Sequence, residues 1–255
     1  MPEWLNAATG LDALTHGIEA FVSLAHNPLT DHHALRAVGL VTDTLVRTIE
    51  LPMEMESRAV MAQASLEAGL AFTNAILGAA HAMSHQVGGL LDLPHGVING
   101  ILLPHVIRFN ATDDATPFVA IAAALGLEER RGTPEEAALA VADRVERLAR
   151  EVGVPKGLGQ LGVREADLSR LAEFALRDAC MSTNRVRPPR SRWWRCSGLR
   201  CERMNAPDLS TLTGLRSGKP TFYPQYRGAA ERLERVVHAL ELISRALVRT
   251  VEGPE

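Results

Sequence analysis

Across residues 1–184 the apolar side chains recur at intervals of three and four, and no run of useful length alternates apolar with polar. A period near 3.6 turns one stripe of an α-helix into a core, whereas a half-buried strand needs a period of two. This stretch is therefore read as all-α, a helical bundle-like domain. Thr9 or Thr15 is expected to cap a helix through His16, Ile18, Phe21 and Val22. After Asn27-Pro28, Thr30-Asp31 opens a segment carrying Leu35, Val38, Leu40, Val41, Leu45 and Val46. Residues 54–75 continue as an amphipathic helix of small residues. Thr133-Pro134-Glu135-Glu136 joins a cap, a first-turn proline and acids at the positive end of the helix dipole. The stripe behind it is Leu139, Val141, Val145 and Leu148, and Asp167 to Cys180 is the last helix of the series. Aromatics at 4% suit this reading, because strands recruit aromatic and β-branched residues.

The balance of the chain narrows the class further. Over 255 residues, 46% hydrophobic and 22% charged is ordinary globular material with length enough for a core. A net charge of −3 argues against a nucleic-acid footprint. No apolar run reaches the roughly 18 uncharged residues of a membrane span. Met1-Pro2-Glu3-Trp4 has neither the basic nor the apolar part of a signal peptide. Cys180, Cys196 and Cys201 give no even disulfide framework. The expectation is a cytoplasmic protein with no nucleic-acid or membrane partner.

Three zones follow: 1–184, 185–203 and 204–255. The middle one holds seven arginines, two adjacent tryptophans, two cysteines and one acid, with no helical stripe, and is read as poorly structured. A basic nucleic-acid or membrane patch is the rival reading, but no amphipathic register supports it. The last zone opens on Gly214, Gly218 and Pro220. It then reads as one helix carrying Leu233, Val236, Val237, Leu240, Leu242, Ile243 and Leu247.

Histidines and acids at helical spacing carry the chemistry. Asp12 and His16 are four apart, as are His81 and His85, so each pair shares a helix face. His95 follows in Leu93-Pro94-His95-Gly96. An Asp-x-x-x-His pair on its own is usually an exposed intrahelical contact. Two such pairs with a third histidine point instead to a metal. Imidazole and carboxylate donors suit Fe(II), Zn(II) or their neighbours, and a set without cysteine suits a catalytic site with an open position. Spacing alone selects Asp12, His16, His81 and His85. Glu19, one turn past His16, is either support for a ligand or a solvated charge. His105 reads as structural, and His26, His32 and His33 as surface.

Longer motifs decide among these. Pro2-Glu3-Trp4-Leu5-Asn6-Ala7-Ala8-Thr9-Gly10-Leu11-Asp12-Ala13-Leu14-Thr15-His16-Gly17-Ile18-Glu19 resembles a signature of the iron-containing (group III) alcohol dehydrogenases. So do His81-Ala82-Met83-Ser84-His85-Gln86-Val87-Gly88-Gly89, Asp92-Leu93-Pro94-His95-Gly96-Val97 and Ile101-Leu102-Leu103-Pro104-His105-Val106. Asp178-Ala179-Cys180-Met181-Ser182-Thr183-Asn184 resembles that family's last common motif. The resemblance implies the all-α C-terminal domain, with metal ligands at Asp12, His16, His81 and His95. It puts His85 beside the metal, near nicotinamide and substrate, as a catalytic proton relay or substrate contact, with a satisfied structural histidine as the alternative. It implies Fe(2+), with Zn(2+) as the alternative, NAD or NADP, a small alcohol or aldehyde substrate, and leaves a homo-oligomer open. The ion acts as a Lewis acid at the alcohol oxygen while hydride passes to the nicotinamide.

The family's dinucleotide domain carries a glycine-rich phosphate loop, and no such strand-to-helix turn occurs in these 255 residues. Met1-Pro2 coincides with an internal Met-Pro of family members, so the chain is expected to be truncated at its front and weak or inactive alone. The Arg/Trp burst is read as a frame slip between Asn184 and Arg192. Tryptophan has the single codon TGG, so Trp193-Trp194 read from the third base gives valine, and GC-rich choices extend this to an apolar helix. Residues 204–255 are then the start of a neighbouring gene, entered by read-through. The rival functions are a metal-dependent hydrolase needing no dinucleotide and a non-catalytic remnant acting only in dimerisation.

Overall fold

The computed structural model describes residues 1–127 and 132–186. Among the described residues eight α-helices follow one another: α1 (Glu3–Val22), α2 (Pro28–Glu50), α3 (Met55–Ala75), α4 (Ala79–Leu91), α5 (His95–Asn110), α6 (Pro117–Ala124), α7 (Pro134–Glu151) and α8 (Glu165–Ala175). Two 3-10 turns, at Leu158–Leu161 and Ala179–Thr183, complete the series, and the described residues contain no strand. The all-α reading therefore holds for this part. The expected helix beyond residue 204 lies outside the described residues, as does the irregular segment expected over 185–203 apart from residues 185 and 186.

Helix α1 is the axis of the bundle. It packs on α2, α3 and α5; α5 lies between α1, α4 and α7; α4 is flanked by α5, α8 and the final 3-10 turn. One core runs through these helices, with Leu11, Leu14, Ile18, Leu45, Met83, Ile98, Leu102 and Leu148 all fully buried. Small residues set how close the helices come. A Cβ on Gly96 would overlap the carbonyl oxygen of Ala8 and crowd Asp12 Cβ, so the start of α5 touches the backbone of α1. That contact brings the residues around His95 to Asp12.

Several boundaries differ from the expected ones. The first helix begins at Glu3, and Thr9 and Thr15 are interior, their hydroxyls bonded back to the carbonyls of Leu5 and Leu11. Helix α2 begins at Pro28, with Asn27 as its cap in a reciprocal pairing with Thr30. The Thr133–Glu136 signature forms the expected capping box. Along α7, Val141, Val145 and Leu148 are buried, but Leu139 is half exposed, because Ala138 and Ala142 occupy the inner face instead. The last helix stops at Ala175, and Asp178 then caps a separate 3-10 turn by accepting from the Cys180 amide.

Candidate metal centre

The start of α4 explains the site's interior. Its first four N–H groups have no partner within the helix. They are satisfied from a distance: Ala79 donates to Asn184 Oδ1 (3.1 Å), and Gly78, Ala80 and His81 donate to the Glu19 carboxylate of α1 (3.2, 2.7 and 3.3 Å). Gly78 is required there, since a Cβ would meet both Asn184 Oδ1 and Glu19 Oε1 within 3 Å. Glu19 has a second task. It accepts from His81 Nδ1 at 2.7 Å, with both side chains 1% exposed. A carboxylate at a helix N-terminus lies at the favourable end of the dipole, and one that also holds an imidazole fixes the ring. Of the two alternatives for Glu19, support for a candidate ligand is the one the structure has.

With Nδ1 committed to Glu19, His81 turns Nε2 to Asp12. The separation from Oδ1 is 3.3 Å. His95 Nε2 lies 3.1 Å from Asp12 Oδ2, and His16 Nε2 lies 3.8 Å from the same oxygen. Donor atoms of Asp12, His81 and His95 are all within 4.8 Å of one another. The His16 ring sits alongside, stacked on His81 (centroids 4.6 Å apart) and on Phe72 (4.3 Å). Helices α1, α4 and α5 thus bring three of the predicted residues, His16, His81 and His95, around the carboxylate of the fourth, Asp12. His85 is not among them. Its Nδ1 donates to Asp178 Oδ2 at 3.0 Å, and its ring centre is 5.9 Å from that of His81 and 6.3 Å from that of His95.

The electrostatics fit a cation. Burial pushes the Asp12 carboxyl up, but hydrogen bonds from His81 and His95 and the charges of His16 and His95 outweigh it, leaving Asp12 far below the usual carboxylate range. Burial also lowers His81, yet its bonds to Asp12 and Glu19 win and raise it to about 9. His16 goes the other way: burial lowers it to about 4, only partly opposed by Asp12. Asn99, fully buried, points Nδ2 at both Asp12 Oδ1 (2.9 Å) and His81 Nε2 (3.1 Å), while its Oδ1 has no partner. Two carboxylates thus attract positive charge to His81, while the Asn99 amide opposes a proton on Nε2. A divalent ion answers the attraction of the carboxylates and would take the Nε2 lone pair in place of the Asn99 N–H, so the donor set of one carboxylate and three imidazoles fits a metal of the class that nitrogen and oxygen donors take.

Residues 6–192 match the family model described as Fe-containing alcohol dehydrogenase family, C-terminal. The chain belongs to the iron-containing alcohol dehydrogenase family. It is 44% identical over 183 residues to the 1,3-propanediol dehydrogenase of Citrobacter freundii, an alignment covering 72% of this chain and 47% of that protein. Against the lactaldehyde reductase of Escherichia coli (strain K12) it is 38% identical over 184 residues, covering 72% and 48%. Among solved structures, a 1,3-propanediol oxidoreductase superposes with a TM-score of 0.75 at 40% identity, covering 78% of this chain and 52% of that one. The alcohol dehydrogenase from Oenococcus oeni gives 0.76 at 32% identity, covering 78% and 52%. The chain spans about half the length of the relatives it matches.

Among the remaining histidines, His26 and His32 are exposed as expected, whereas His33 is half-buried and ties α2 to α3 through Glu67 at 2.6 Å. His105 is also half-buried on α5, and burial, with Arg108 nearby, lowers its pKa. Two site residues escaped the sequence reading. Asn99 lies four positions after His95, one turn along the same face, and that spacing was its only signal. Asp178 stood inside a quoted motif but at 93 residues from His85, where no periodicity can link them. None of the helices among the described residues is long and apolar enough to cross a membrane.

Proposed function

We propose that Asp12, His16, His81 and His95 hold one divalent ion, Fe(2+) with Zn(2+) as the alternative, in an NAD(P)-linked alcohol dehydrogenase acting on a small alcohol or aldehyde. The observation that supports this most is the set of donors gathered on Asp12 from three helices, with His81 Nδ1 already taken by Glu19. A bound ion would supply Lewis acidity at the alcohol oxygen, and a nicotinamide would accept the hydride. The chain's own residues orient and relay. Glu19 fixes the His81 ring, and Asn99 holds Oδ1 of Asp12. His85, 42% exposed and anchored by Asp178 through Nδ1, offers Nε2 for exchange of the alcohol proton with solvent. Relatives named NAD-dependent methanol dehydrogenase (Bacillus methanolicus) and NADPH-dependent butanol dehydrogenase (Clostridium saccharobutylicum) support either nicotinamide.

The 255 residues contain no glycine-rich phosphate loop, so the contacts that position a nicotinamide are largely absent from this chain. Orientation is the main requirement for hydride transfer, and the chain alone is expected to be weak or inactive. The division at 184 and 203 belongs to the same proposal, with a frame slip and read-through behind residues 185–255. An accurate DNA read from codon 184 through codon 204 tests it: an uninterrupted frame past Asn184 overturns the slip.

The ligand set is tested by anaerobic loading with Fe(2+) and metal analysis. His85→Ala should retain about one ion per chain, and His95→Ala should lose it. Loss with His85→Ala and retention with His95→Ala would overturn the assignment. Hydrolysis without any dinucleotide would favour a metal-dependent hydrolase, and failure to bind metal would favour a packing remnant. Vigorous NAD-linked oxidation by the purified chain would contradict the expected weakness.

A further inference from the structure

Beside the Asp12 centre stands a second group of donors of different chemistry. An imidazole nitrogen of His85, a carboxylate oxygen of Asp178 and Sγ of Cys180 all lie within 4.8 Å of one another. We propose that His85, Asp178 and Cys180 form a separate site for a thiophilic divalent cation such as Zn(2+), Cd(2+) or Co(2+). The proposal concerns binding alone and does not depend on the role given to His85 above.

The trio is held in place by its own elements. Asp178 is fixed from both sides, Oδ1 accepting from the Cys180 amide at 2.9 Å and Oδ2 from Gln86 Nε2 at 3.2 Å. Ligating carboxylates commonly carry such outer hydrogen bonds, which set the direction of the remaining lone pairs. Cys180 is buried on the 3-10 turn that Asp178 caps, and His85 rises from α4, which packs on that turn. The 3.0 Å between His85 Nδ1 and Asp178 Oδ2 is close to the edge of about 3.3 Å between two ligands on a tetrahedral zinc-like ion. Binding requires two proton movements: the His85 proton now shared with Asp178 must move from Nδ1 to Nε2, and the Cys180 thiol, pushed up to about 12 by burial and by the charge of Asp178, must give its proton to solvent as the ion takes the sulfur. His85 is half-exposed, so the site has an open side for a further ligand.

Donor type separates the two sites. The Asp12 group offers only nitrogen and oxygen, which iron accepts readily; the trio adds sulfur, which favours zinc, cadmium and cobalt over magnesium or calcium. An ion held by the trio would also take His85 away from solvent, without displacing any group on Asp12.

The test uses the full chain with Cys196→Ser and Cys201→Ser, so that Cys180 is the only thiol. Under reducing, anaerobic conditions it is titrated with Co(2+) and followed in the near ultraviolet, where a thiolate–cobalt charge-transfer band reports sulfur ligation. The Asp12 group contains no sulfur and contributes nothing to that band. The expected result is a total uptake of two ions per chain, with the band saturating at one of them and bleached by Cd(2+) but not by Mg(2+). His85→Ala and Asp178→Asn should each weaken the band-forming event by more than about tenfold, while far-ultraviolet circular dichroism shows the helices intact. Absence of the band through two equivalents in the folded chain would overturn the proposal. So would a band whose affinity is unchanged in both variants, because Cys180 would then bind without its two partners.

Discussion

His81 and His85 occupy successive turns on one face of α4, yet the two ends of that face are built differently. At the inner end His81 is 1% exposed, and the carboxylate that holds its Nδ1 also terminates the helix. At the outer end His85 is 42% exposed, and its Asp178 anchor comes from a short turn late in the chain. The same His-x-x-x-His spacing thus yields one locked ring and one accessible ring. What separates them is which partner meets Nδ1 and how much water reaches the other nitrogen. A locked ring suits a ligand whose lone pair must keep a fixed direction, and an accessible ring suits proton exchange or capture of a second ion.

The largest expected effect is at the inner end. Glu19→Ala leaves three N–H groups and the His81 imidazole without their buried acceptor, and breaking such a buried pair costs about 3–5 kcal/mol. Asp178→Ala removes one cap, the Gln86 hydrogen bond and one exposed imidazole contact, a loss of about 1–2 kcal/mol. Urea unfolding of the two variants measures the contrast, and equal losses would erase the distinction between the ends. Next comes Gly96→Ala, which forces α5 off the backbone of α1 at an overpacking cost of about 1–3 kcal/mol. Because it separates His95 from Asp12, metal affinity should fall alongside stability in calorimetric titration. Asn99→Ala should leave the helices intact yet lower metal affinity by about 10–100-fold, whereas Gln86→Ala, at the outer end, should leave the first ion's affinity unchanged.

The smallest effect is the pH dependence of the metal-free chain. His81 is raised to about 9 in the folded state, so its stabilisation is complete below its ordinary value of 6.5 and is lost as pH rises through 9. His16 is lowered to about 4, so the unfolded chain binds its proton first and stability falls as pH drops from 6.5 towards 4. Thermal unfolding without metal should therefore peak near pH 6.5. Metal uptake below pH 9 should release the His81 proton and tighten as pH rises. A metal-free stability that climbs steadily from pH 6.5 to 9 would contradict the raised His81.

Much of the helical framework was legible because its signals are local. The Thr133–Glu136 capping box and the Val141, Val145, Leu148 stripe appear in the structure as the sequence spacing implies. Boundaries were less legible: Thr9 and Thr15 look like caps but bond back within α1, and Leu139 fits the stripe yet faces outward beside smaller alanines. In the site, spacing groups His85 with Asp12, whereas the fold turns it to Asp178 and brings His95 to Asp12 through the close approach at Gly96. Glu19 was visible as a residue one turn from His16, but its task was not. Capping α4 and holding His81 depend on packing between residues about 60 apart, which no helical period encodes.

Nitrogen-15 spectra of histidine-labelled Cys180→Ser chain, which lacks the competing sulfur ligand, carrying one equivalent of Zn(2+) address the inner end most directly. His81 should keep its proton on Nδ1, held by Glu19, and give Nε2 to the ion, while the His85 resonances show no ligation at that first equivalent. Ligation through His81 Nδ1, or a first ion that moves His85 and leaves His95 untouched, would contradict this assignment.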